Sequence, residues 1–104
     1  MAERRENQRV PIDVDVVLNY REHALICTLR DISVNGAFIE AAPDDLPYTN
    51  SKVELALTVT RNGAARYCRI PARISRITNN GAAVSFSDVG MDAYSSIVSI
   101  VYEA

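Results

Sequence analysis

Apolar and polar residues alternate along most of this chain with a period of two. In IDVDVVLNY, Ile12, Val14, Val16, Leu18 and Tyr20 fall on one side and Asp13, Asp15 and Asn19 on the other. That is the pattern of a strand with one wet face. Val10-Pro11 starts the ordered part, because proline suits the first residue of a strand. Residues 24–30 and 37–41 predict two further strands. After the loop PDDLPYTNS the alternation is cleanest, with Val53, Leu55, Leu57 and Val59 opposing Lys52, Glu54, Thr58 and Thr60. Asn62-Gly63 favours a primed hairpin turn, and a long strand follows over 65–77, broken or bulged near Pro71. Asn79-Asn80-Gly81 is another turn, leading into 82–86. Only the end has helical spacing: Tyr94, Ile97, Val98 and Val101 recur at three and four, with Asp92 in the first turn. No internal repeat stands out. Six short strands closed by one helix predict an all-β fold, a six-stranded antiparallel β-barrel with a C-terminal α-helix.

The chain has 104 residues, the size of one domain. Residues 1–9 hold no large apolar side chain beyond the initial methionine and read as a mobile polar leader; residues 10–104 form the barrel and its helix. With 48% hydrophobic and 23% charged residues, the composition is that of a soluble globular domain. A net charge of −2 and a pI near 5.3 argue against a general DNA or RNA binder, which needs a basic surplus to neutralise phosphates. No continuous apolar stretch precedes the first strand, so neither a signal peptide nor membrane insertion is expected, and the expected location is cytoplasmic.

Catalytic constellations are missing from the pattern. Cys27 and Cys68 lie inside strands without CxxC spacing, so reduced thiols and no metal site are expected. His23, the one histidine, falls in the turn between the first two strands. Asp44-Asp45 stands between prolines in a solvated loop. Neither GxxxxGK nor GxGxxG occurs. No cofactor and no enzymatic activity are expected.

Two stretches ask for more. In RRENQR, Arg5 and Arg9 stand four apart with Arg4 adjacent. Pro11 and the following strand leave no room for a helix of useful length. An extended or looped segment can close around a compact ligand, and the arginine fork makes paired bonds to phosphate or to the O6 and N7 edge of guanine. In RDISVNGAF, Asp31 can start a turn, Ser33 can brace it, and Gly36 can take positive φ. The same Asp and Ser could accept from the N1 and N2 donors of guanine, with glycine letting a base approach the backbone.

RxxxR followed by D/N-x-S-x-x-G between strands of a six-stranded barrel resembles the PilZ domain family. The matching residues are Arg5 and Arg9, then Asp31, Ser33 and Gly36; VPIDVDVVL, ARISRI, NNGAAVSF and the final helix also fall where that family has them. The resemblance implies a stand-alone receptor for the bacterial second messenger cyclic diguanylate (c-di-GMP), one or two molecules bound. Arg5 and Arg9 would hold phosphate and guanine edges, while Asp31, Ser33 and Gly36 would line the guanine site. Arg4 matches members that bind a stacked pair of messengers; Asn35 could contribute, and Arg76 could stack on a base. The output would pass to a separate effector protein in motility, pilus or exopolysaccharide control. Two other readings stand beside this one: a nucleotide-independent protein-interaction module on the same barrel, and a small single-strand binder. The second is disfavoured by the acidic pI and by aromatic residues that are expected in the core.

Overall fold

A computed structural model describes residues 8–61 and 63–103. Six antiparallel strands run as β1 (Val10–Tyr20), β2 (His23–Ile32), β3 (Gly36–Glu40), β4 (Lys52–Arg61), β5 (Ala64–Ile77) and β6 (Gly81–Phe86), followed by helix α1 (Met91–Glu103). They close into a barrel in the order β1-β2-β3-β6-β5-β4, and closure removes the open sheet edges that invite aggregation. The expected fold class is therefore observed, with each strand boundary within about two residues of the one read from alternation. His23 does not sit in the first turn but opens β2 opposite Tyr20, because Arg21 supplies the left-handed residue of that turn at φ 55°.

The inward positions of the strands, among them Leu18, Leu29, Ile39, Leu55, Ile70 and Ile74, are buried. At about 1.5–3 kcal/mol for each large aliphatic side chain removed from water, they supply most of the drive to fold. Helix α1 adds Ile97, Ile100 and Val101 to the same core, with Ala93 packed beside them. That stripe is turned by one position from the one expected, and Tyr94 is half exposed.

Pro71 does not break β5. It pairs with Glu54 in an uninterrupted β4–β5 ladder. Its carbonyl accepts from Ser87 N at 3.0 Å, so its nitrogen, on the same edge of the strand, faces the end of β6, where no ladder donor is needed. The irregularity of β5 lies instead between Ile74 and Arg76, against β6.

The barrel also contains a repeat that the period-two pattern hides. Residues 31–37, DISVNGA, and 76–82, RITNNGA, each follow an irregularity in register, between Leu29 and Asp31 in one case and Ile74 and Arg76 in the other. Ser33 N donates to Gly36 O, and Thr78 N donates to Gly81 O, both at 2.8 Å. Asn35 O accepts from Phe86 N at 2.9 Å, and Asn80 O from Ala41 N at 3.1 Å. Because β3 and β6 pair antiparallel about Phe38 and Ala83, the two strand–turn–strand units sit head to tail around a local twofold axis at that pair.

Candidate functional site

The β2–β3 turn is built by its own side chains. The Ser33 hydroxyl accepts from Asn35 N and Gly36 N and donates to Gly36 O, each at 3.2 Å. Ser33 is buried, at 3% exposure, as expected of a residue whose hydroxyl is fully used inside the fold. Gly36 does not take the positive φ that its place in a turn suggested; among the described residues the glycines with positive φ are Gly63 and Gly81. Its reason is space. A Cβ on Gly36 would lie 2.3 Å from Val84 O, so only glycine lets β3 approach β6 at Ser85.

Asp31 stands two residues before the turn on the outer face of β2, where it pairs with Pro11 on one side and Phe38 on the other. Its carboxylate accepts a hydrogen bond from Arg9 Nη1 and forms an ion pair with it. Both side chains are partly solvated, which limits the pair to about 0–1 kcal/mol. Its consequence is positional: the second arginine of RxxxR already lies at the turn.

Lateral pairing carries the site across the sheet. Asp31 pairs with Phe38, Phe38 with Ala83, and Ala83 with Arg76, so these four share one row on the outer face. Three strand spacings of about 4.8 Å put the ends of that row about 14 Å apart along the sheet. Beside the Ala83–Arg76 end of that row lies a concavity of about 240 Å³, to which Arg9, Ser33, Asn35 and Gly36 contribute from one side and Arg76 from the other. Its floor includes Ser75 and Ser85, whose hydroxyls hydrogen-bond to each other. Two larger concavities lie elsewhere, about 520 Å³ beside Val17 and Tyr67 and about 460 Å³ beside Tyr20 and Leu46, but neither brings an arginine to its wall. Both exceed it in size; chemistry favours the smaller one, where guanidinium groups face small residues.

Of the residues singled out in the sequence, Arg9, Ser33, Asn35, Gly36 and Arg76 thus meet at one surface, with Asp31 joined to them through Arg9. Arg4 and Arg5 lie outside the described residues. Ser75 and Ser85 were missed, since nothing in the sequence signals that the irregularity in β5 brings these two hydroxyls together.

Cys27 and Cys68 are buried free thiols. Burial, with the nearby Asp45 carboxylate adding to it, pushes the Cys27 thiol up to about 11. Burial also raises Cys68, against smaller opposing effects of a Ser96 hydrogen bond and Arg66. Both are protonated near neutral pH and therefore poor nucleophiles. The expectation that most aromatic residues are in the core is not met: Tyr48, Tyr67, Tyr94 and Tyr102 are all exposed. The narrow barrel is filled by aliphatic side chains, which leaves little room for rings. Among the described residues no helix is long and apolar enough to cross a membrane.

A protein-family model described as "PilZ domain" matches residues 3–103. The PilZ domain of CeSA from a cellulose-synthesizing bacterium superposes with a TM-score of 0.75 at 18% identity, covering 91% of this chain and 95% of that one. The Bacillus subtilis inhibitor of motility (MotI/DgrA) superposes with a TM-score of 0.79 at 17% identity. This alignment covers 91% of the chain but 48% of the inhibitor, so the chain spans about half of that protein. Comparison with curated protein sequences returns no match.

Proposed function

Since the chain belongs to the PilZ domain family, a family of c-di-GMP receptors, we propose that this domain binds c-di-GMP by itself and reports the bound state to a separate effector protein. One observation carries the proposal: Arg9 is seated on Asp31 beside the braced turn, with Arg76 facing them across the same concavity. Arg5 and Arg9 take phosphate oxygens and the O6 and N7 edge of guanine, for which the planar fork is suited. Arg4 adds a third guanidinium where a second, stacked messenger binds. Asp31 accepts from guanine N1 and N2, Gly36 and Asn35 present the turn to the base, Ser33 lies beneath as part of the wall, and Arg76 stacks on a purine face.

Arg9 is already seated at the turn, so drawing the rest of residues 4–9 over it, at about 1–2 kcal/mol of backbone entropy per residue, costs at most roughly 6–12 in all. A micromolar complex needs about −8 kcal/mol beyond that. Three arginines making paired, charge-assisted bonds at about 1.5–3 kcal/mol each, with base stacking, can supply both. Binding then changes the leader from a basic segment to a neutralised surface, an order–disorder switch that an effector can read. Outputs in polysaccharide synthesis or motility accord with the settings named for the two structural neighbours. The site lies in the cytoplasm in this reading, where the messenger is made.

Calorimetric titration tests the proposal. Heat on addition of c-di-GMP, with none from GTP, is the expected result. No heat with c-di-GMP but heat with a short oligonucleotide would favour a single-strand binder, and no heat with either would favour a nucleotide-independent interaction module.

A further inference from the structure

The barrel carries its site turn twice, and the second copy serves as an internal control for the first. In the β5–β6 turn, Thr78 Oγ1 accepts from Asn80 N at 3.2 Å and donates to Gly81 O at 3.4 Å. Ser33 Oγ makes the same pair of bonds to Asn35 N and Gly36 O. Thr78 belongs to the unit at the opposite end of the β3–β6 ladder, and it does not line the concavity that holds Arg9 and Arg76. A hydroxyl with this bonding pattern is therefore what this type of turn needs in order to close, whether or not a ligand sits beside it.

A serine hydroxyl has one proton to donate and two lone pairs to accept with. In Ser33 the proton goes to Gly36 O and the lone pairs go to the N–H groups of Asn35 and Gly36. Nothing remains for a base edge or a phosphate. The charged positions, by contrast, differ between the two units: Asp31 in one corresponds to Arg76 in the other. What the two units share is turn construction, and what they do not share is charge.

From this we infer that Ser33 is a positioning residue: its hydroxyl holds the turn closed beneath the ligand and makes no bond to the ligand, so recognition falls to Asp31 and the arginines. This rests on the c-di-GMP reading above, but its structural half can be tested without ligand.

The test uses Ser33→Ala and Thr78→Ala in the full chain, with amide hydrogen exchange and c-di-GMP titration on each. Ser33→Ala is expected to raise exchange at Asn35 and Gly36 at least tenfold. It lowers affinity only by the factor by which the closed turn is depopulated, and saturating c-di-GMP restores protection. Thr78→Ala is expected to raise exchange at Asn80 by a similar factor while affinity stays within twofold of wild type. Affinity lost in Ser33→Ala with the Asn35 and Gly36 amides still protected would overturn the inference, since the hydroxyl would then be a ligand contact. Released amides with undiminished affinity would overturn it from the other side, because the closed turn would not matter to binding. Should wild type bind no c-di-GMP, the functional reading fails alone, and the exchange of the two turns in the free variants still judges the brace. If Ser33→Ala proves too unstable to assay, Ser33→Thr carries the twin's residue, and protection and affinity both within threefold of wild type are expected. Loss of affinity with protection intact in that variant would likewise overturn the inference.

Discussion

Gly36→Ala is the sharpest probe of how the site is built. The added Cβ would stand 2.3 Å from Val84 O, about 0.7 Å inside the 3.0 Å limit that Cβ contacts respect, and the obstacle is backbone rather than a flexible side chain. Relief requires β3 and β6 to separate at Ser85. The neighbouring bond from Phe86 N to Asn35 O is 2.9 Å, and stretching it by the same amount takes it beyond hydrogen-bond range. Overpacking of this kind costs about 1–3 kcal/mol, and a lost ladder bond adds about 0.5–1.5, so about 2–4 kcal/mol is expected in all. For a domain of about 100 residues that lowers Tm by roughly 10–30 °C, readily measured by circular dichroism. Gly81→Ala, at 2.0 Å from Ile39 O at the other end of the ladder, should fall comparably, whereas Gly90→Ala meets nothing within 4 Å and should change Tm by less than about 3 °C. A Gly36→Ala protein that melts within 3 °C of wild type would refute the close-approach argument.

Other outcomes follow from the same geometry. Arg9→Ala and Arg5→Ala should each weaken c-di-GMP binding at least tenfold in calorimetry. For Arg9→Ala the Tm of the free protein should move by no more than a few degrees, because the ion pair lost with Asp31 is solvated; a melt that collapses together with affinity would make the arginine structural. Arg76→Ala, removing a stacking partner worth about 1–3 kcal/mol, should weaken binding by roughly fivefold or more without loss of fold; unchanged affinity would remove it from the site. With the Cys27 thiol pushed up to about 11 and Cys68 also raised by burial, neither thiol should react with a maleimide in the native state at pH 7.5 on the timescale of its reaction in denaturant. The sign for stability follows: an unfolded thiol ionises near 9, so the Cys27 contribution is intact below that pH and is lost as pH rises from about 9 to about 11, which denaturant titrations across that range would register.

The strands were legible because a barrel of one-sided strands writes its inside and outside into alternate residues, as in Val53 through Val59. What failed to show were contacts between distant segments. Gly36 stands out as a turn glycine, yet the atom that requires it, Val84 O, belongs to a strand on the far side of the chain. Pro71 reads as a strand breaker until the end of β6 beside it is known. Asp31 and Arg76 were both legible as candidates, but only the lateral pairing through Phe38 and Ala83 puts them on one row. The repeated turn is hard to see in the sequence because ISVNGA and ITNNGA differ at Ser33/Thr78 and Val34/Asn79 and share a hydroxyl and a hydrogen-bonding pattern, to which a search for hydrophobic period is blind.

The central claim is that c-di-GMP occupies the concavity between Arg9, the braced turn and Arg76. Backbone amide shifts on titration of labelled protein test it most directly. The account predicts changes concentrated in residues 31–36, at Ser75 and Arg76, and at residues 83–85, with the turn at Thr78–Gly81 nearly still. Saturable changes centred on Tyr67 or Tyr20 instead, or none anywhere, would contradict it.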